Sequence, residues 1–128
     1  MRYIVLLMGL MAIPAASFAS AKTQPPSPGE RLFQRDCAAC HTIARGSGAA
    51  EGPSLYGVIG RKIGSMSGFR YSPALRAKSG KVWTAKLLDQ WLTDTQKYAP
   101  GANMVYFSEN PRERMLLINY MQEQSVGR

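Results

Sequence analysis

Apolar residues recur at helical spacing in three stretches of this 128-residue chain. In "GERLFQRDCAAC", Leu32, Phe33, Asp36, Cys37 and Cys40 fall at helical spacings, which predicts a short amphipathic helix from Gly29 running into the paired cysteines. "KLLDQWLTD", Lys86 to Asp94, predicts a second helix. "NPRERMLLINYMQEQ" predicts a third: Pro111 stands near its start, where a missing N–H costs nothing, and Leu117, Tyr120 and Met121 form its apolar stripe. Between these stretches glycine and turn residues dominate, with no strand alternation and no internal repeat. The pattern predicts an all-α domain with long loops.

The N-terminus departs from this pattern. Met1 and Arg2 make a positive start, Tyr3 to Ile13 is an unbroken apolar run, and "PAASFASA" supplies small residues suited to a processing protease. An apolar run of eleven residues ended by Pro14 is well short of the roughly 20 that span a bilayer. Residues 1–21 are therefore expected to be a signal peptide rather than a retained anchor, with cleavage after Ala21 or after Ala19. Residues 22–28, "KTQPPSP", read as a proline-rich tether, and residues 29–128 as the domain. Export of this kind points to the periplasm.

Composition narrows the partners. With 45% hydrophobic and 19% charged residues the chain is neither disordered nor a membrane bundle. Sixteen Lys and Arg against eight Asp and Glu give a formal charge of +8. Nucleic acid is one partner for such a surplus, but an exported protein seldom meets it. An acidic protein partner, or weak association with an anionic membrane surface, fits better. A small domain with an irregular middle buries a modest core and usually needs a staple. A disulfide between Cys37 and Cys40 would close too short a loop to help; a large apolar cofactor would do more.

Both cysteines and the only histidine of the chain lie in Cys37-Ala38-Ala39-Cys40-His41. Zinc needs about four ligands, and no second cluster completes the set. A redox dithiol would sit in a strand–helix–strand unit, and none surrounds the motif. Covalent haem attachment uses every residue of the pattern. On a helical turn residues three and four apart share a face, so Cys37 and Cys40 can form thioethers with one porphyrin while His41 reaches its iron. Without a second histidine, the sixth ligand must come from Met66, Met104, Met115 or Met121. Met115 and Met121 are expected to be core packing on the last helix, and Met66 lies in a glycine-serine loop. Met104 follows the Pro-Gly turn of "YAPGAN", which suits a strap carrying sulfur to the other face of the ring, and it is the favoured ligand.

"CAACHT", "GPSLYGVIGRKIG", "GFRYSPA", "VWT" and "KYAPGANM" occur in the order seen in small soluble class I c-type cytochromes. From Gly29 to about Gln124 the chain resembles that family, which includes mitochondrial cytochrome c and bacterial periplasmic relatives. The resemblance implies the cytochrome c fold, with terminal helices crossing through Gly29, Phe33, Leu117 and Tyr120. It implies one covalent haem c with its iron, a Pro53 carbonyl accepting from the His41 ring, and Arg61, Tyr71 and Trp83 binding the haem propionates. Trp83 and Tyr98 would also serve as aromatic core. Three departures stand out: Ala102 where relatives often carry threonine, Trp91 where the mitochondrial protein has tyrosine, and a segment after Met104 about one residue shorter.

Charge departs from the resemblance too. Asp36, Ala50, Gln96 and Asn103 stand where the mitochondrial protein rings its haem edge with lysines. Instead, Arg61, Lys62, Arg70, Arg76, Lys78, Lys81 and Lys86 fall between Glu51 and Asp89 with no acidic residue among them. Two readings follow: a solvated basic face, or a docking patch displaced toward this segment. With His41 and Met104 closing the iron, the expected function is one-electron transfer between redox protein partners, by a monomer that is not an enzyme and takes no small-molecule substrate. The rivals are a dedicated electron-transfer subunit of a periplasmic dehydrogenase, and a ligand-binding or peroxidatic haem protein with a labile Met104.

Overall fold

A computed structural model describes residues 24–126; the expected signal peptide, residues 1–21, lies outside them. Five helices follow in order: α1 Pro28–Asp36, α2 Pro73–Arg76, α3 Ala85–Thr93, α4 Thr95–Tyr98 and α5 Pro111–Ser125. Only two isolated bridges, Lys62 with Val82 and Asp94 with Phe107, break the all-α pattern among the described residues.

Local chemistry sets each helix start. Ser27, Ser72, Thr84, Asp94 and Asn110 cap the five N-termini, each side-chain oxygen accepting an otherwise orphaned backbone N–H. Proline occupies the first turn of α1, α2 and α5, where it removes no needed donor. Helix α1 thus begins one residue ahead of the expected domain start, with Ser27 of the tether segment as its cap. It also ends sooner than the apolar spacing suggests: it stops at Asp36, and the cysteine motif follows as a turn. The four-residue helices α2 and α4 carry too little periodicity to be predicted from apolar spacing.

Helices α1 and α5 cross where the resemblance implied. Phe33 and Leu117 are each 2% exposed, and the rings of Phe33 and Tyr120 lie 5.7 Å apart at 51°. Gly29 makes the close approach possible, because a Cβ there would meet the Leu116 carbonyl and lie 2.7 Å from Tyr120 Cβ. Burial of side chains such as Phe33 and Leu117 contributes about 1.5–3 kcal/mol each. At the far end of the crossing, Arg35 pairs with Asp36 and with Glu113 of α5. Helix α3 packs Leu88, Trp91 and Leu92 inward, and Arg114 of α5 ties to it through Asp89 at 2.7 Å. Met115 does not pack as expected: it lies on the outer face of α5, 52% exposed, whereas Met121 is 2% exposed.

Candidate functional site

Past α1 the chain winds through one tight turn. Cys37 N and Ala38 N donate to Phe33 O at 2.8 and 2.9 Å, and Cys40 N and His41 N donate to Cys37 O at 3.0 and 2.9 Å. Cys37 is buried and Cys40 exposed, and the two are not joined. Gly52 N donates to Cys40 O at 2.7 Å and Leu55 N to Thr42 O at 2.8 Å, which lays residues 52–55 against the motif. The Pro53 carbonyl consequently lies 2.8 Å from His41 Nδ1. A carbonyl only accepts, so Nδ1 carries the proton and Nε2 presents its lone pair. Burial lowers the pKa of His41, with the Pro53 bond acting against it, which favours the neutral form of this half-buried ring.

Next to this turn lies a cavity of about 550 Å³. Cys37, Cys40, His41 and Pro53 line it on one stretch of chain, and Met104 on another. The remaining predicted residues, Arg61, Tyr71 and Trp83, line it as well. Loop pairing brings them there: Gly60 N donates to Trp83 O at 2.7 Å, and Trp83 N to Arg61 O at 2.9 Å. Arg61 Nη2 donates to Ser54 O at 2.6 Å, and burial lowers its pKa while Tyr71 acts the other way. Tyr71 packs edge-on against Phe69 and accepts from Met66 N through its hydroxyl at 3.3 Å. Trp83 stacks on Tyr98 at 6.0 Å and meets Trp91 at 5.9 Å, so both are the aromatic core expected.

The methionines separate cleanly. Met66 Sδ accepts from Ser54 N at 3.2 Å and does not line the cavity, and neither does Met115. Met104 and Met121 do. The Cys37 thiol is pushed up to about 12 by burial first and by Asp36 second, with Arg35 opposing. A redox dithiol depends on a thiol of lowered pKa, and Cys37 is the reverse. No group of three His, Cys, Asp or Glu among the described residues could hold a zinc ion.

Residues 26–125 match the family model for cytochrome c. The chain belongs to the cytochrome c family. Cytochrome c of Nigella damascena is 37% identical over 112 residues, covering 87% of this chain and 100% of that protein. Cytochrome c of Cannabis sativa is 38% identical with the same coverage. Cytochrome c-550 of Ancylobacter novellus is 43% identical over 90 residues, 69% of this chain and 82% of the relative. The cytochrome c family binds haem c covalently, with its iron, and carries electrons between redox protein partners.

The residues present fit that group. Two thiols three residues apart and a neutral histidine with a free Nε2 share one turn and one cavity. Gly52 completes the cradle: a Cβ there would collide with His41 Cε1 and lie 2.6 Å from Nδ1 and 2.9 Å from Nε2. Only glycine lets the backbone lie flat against the ring. Of the departures, Ala102 and Trp91 are both buried and line the cavity, so a hydroxyl is replaced by a methyl and a phenol by an indole.

Gly52, Thr95 and the Gln96 side chain take part in the site, although no motif in the sequence assigns them a role there. The Gly-Pro pair eleven residues beyond His41 was the available signal for Gly52. Thr95 and Gln96 carry none, because their contacts arise from loop placement.

Proposed function

We propose that this cytochrome c is an exported, periplasmic one-electron carrier whose iron is closed by His41 and Met104. The observation that carries the proposal is the shared cavity: Cys37, Cys40, His41 and Met104 line it, Met66 and Met115 do not, and Met121, which also lines it, is 2% exposed in the core on α5. In this reading Cys37 and Cys40 would hold the haem through thioethers, His41 Nε2 and Met104 Sδ would ligate its iron, and Pro53 fixes the His41 tautomer and ring plane. Arg61, Tyr71 and Trp83 offer donors to the propionates. The bound haem supplies a ferric–ferrous couple. Methionine ligation by Met104 and burial by Leu88, Trp91 and Leu92 both favour the ferrous form. With His41 and Met104 both ligating, the iron would be closed to substrate and oxygen, and the chain would act as a carrier rather than an enzyme.

The apolar run before Pro14 supports export. Among the described residues no helix is long and apolar enough to cross a membrane. Partner contact is proposed at the displaced basic face. Backbone pairing of Lys62 with Val82, of Ile63 with Lys81, and the proximity of Gly64 to Arg76 gather Lys62, Arg76 and Lys81 on one surface. Lys78 joins them over the ring of Tyr98, 5.3 Å from its centroid. The described ion pairs involve Arg35 and Arg114, none of these cations. An acidic face on a soluble redox protein is the complement.

Spectroelectrochemical titration of the exported protein tests the reading. One reversible one-electron transition, with no turnover of added peroxide, is expected. Peroxide turnover, or a second species on reduction, would overturn it.

A further inference from the structure

The strap from Ala99 to Val105 has little backbone structure of its own. Among the described residues its only internal backbone bond is Ala102 N to Ala99 O at 3.0 Å. That bond closes the Pro100-Gly101 turn, in which Gly101 takes a φ of 84° that a side chain would resist. Beyond the turn, two consecutive side chains of α4 replace the missing scaffold. Thr95, 0% exposed, places Oγ1 2.9 Å from Met104 O and 3.2 Å from Tyr106 O, and accepts from Tyr106 N at 3.0 Å. Gln96 Nε2 donates to Ala102 O at 2.9 Å and to Met104 O at 3.0 Å, while Oε1 accepts from Gly101 N at 3.2 Å. Thr95 and Gln96 thus converge on the Met104 carbonyl, whose two lone pairs can serve both donors.

The clamp is itself anchored. Asp94 caps α4 by accepting from Gln96 N and Lys97 N at 3.0 Å each, and Thr95 N donates to Tyr106 O at 3.1 Å. Neither Thr95 nor Gln96 lines the cavity. Their hydrogen bonds end on the backbone of the residue whose side chain does line it.

We propose that Thr95 and Gln96 are positioning residues for Met104, holding its backbone so that the sulfur stays in the cavity and the sixth position seldom opens. The inference rests on Met104 as the sixth ligand, as proposed above. Each net hydrogen bond is worth roughly a 2- to 12-fold change in an opening equilibrium. An external ligand that binds only the open form has an apparent Kd that rises as the open fraction falls.

The test uses the full-length ferric holoprotein titrated with imidazole, alongside amide hydrogen exchange of residues 101–106. Thr95→Val and Gln96→Leu are each expected to lower the imidazole Kd by about 2- to 12-fold, and Thr95→Ser to restore it. Exchange at Gly101 and Tyr106 should accelerate in the variants while α1 and α5 keep their rates. Faster exchange with an unchanged imidazole Kd in both variants would overturn the proposal, since the clamp would then order the strap without governing Met104. So would an unchanged Kd with unchanged exchange. Gln96 is part-exposed, so Gln96→Leu gives an answer even where loss of the buried Thr95 hydroxyl prevents folding. Met104→Ala is the separate control: if it binds imidazole no better than the native protein, the ligand assignment itself fails, whatever the clamp variants do.

Discussion

Replacing Gly52 by alanine puts the most direct strain on the histidine. Gly52 is buried and its φ is not positive, so the cost of a side chain is steric and not conformational. The new Cβ would lie 2.6 Å from His41 Nδ1, where ordinary contact begins near 3.4 Å. The ring must give by most of an ångström, or the backbone of Gly52 must retreat. Retreat would break the 2.8 Å bond to Pro53 or the 2.7 Å bond from Gly52 N to Cys40 O. Overpacking costs about 1–3 kcal/mol and a lost hydrogen bond about 0.5–1.5 kcal/mol. In a domain of this size that corresponds to a fall in Tm of roughly 6–36 °C. Thermal unfolding of the holoprotein, followed by far-ultraviolet circular dichroism, reads the loss, and the visible spectrum shows whether the ring has shifted at the iron. A Gly52→Ala protein melting within about 2 °C of the native one, with an unchanged spectrum, would refute the reasoning.

Other outcomes follow from the same geometry. Gly29→Ala drives a methyl into the Leu116 carbonyl at the α1–α5 crossing and is expected to cost about 1–3 kcal/mol in a denaturant titration; an unchanged midpoint would mean the helices separate freely. Asp36 has its pKa lowered, by the Arg35 hydrogen bond above all and also by Tyr106, while partial burial acts to raise it. A carboxyl with a depressed folded pKa stabilises above its unfolded value, near 3.9, and loses that contribution as pH falls through the folded value. Asp36→Asn should therefore flatten the fall of stability with pH below about 4, and an equally steep acid limb would contradict the sign. Neutralising Lys78, Lys81 and Lys86 together should slow association with the physiological partner and shrink its salt dependence; an unchanged rate and salt slope would remove the displaced patch.

The parts of the fold that were legible share one property: their signals lie within a few residues of each other. Leu32 and Phe33, Leu88, Trp91 and Leu92, and Leu117, Tyr120 and Met121 repeat at helical spacing, so α1, α3 and α5 could be read directly. Ser72-Pro73 and Asp94 mark the starts of α2 and α4, but a single turn leaves no period to detect. Met115 shows the limit of periodic reading, since the same helix that buries Met121 turns Met115 to solvent. At the site, Cys37, Cys40 and His41 are contiguous and were legible for that reason. Met104 was singled out by the small number of methionines and the Pro-Gly turn before it; it lines the cavity together with Met121, whereas Met66 does not. Gly52 against His41, and Thr95 and Gln96 on Met104, depend on how loops close in space. Each pairs residues eight to eleven apart through irregular chain, where no repeat carries information.

The central claim is an iron closed by His41 and Met104, and the visible spectrum of the reduced, exported protein with and without carbon monoxide tests it most directly. The native protein should show a sharp low-spin haem c spectrum that the gas leaves unchanged, and Met104→Ala should shift at once on adding it. A gas-induced shift in the native protein would contradict the account, because a position that opens to carbon monoxide is not held by Met104.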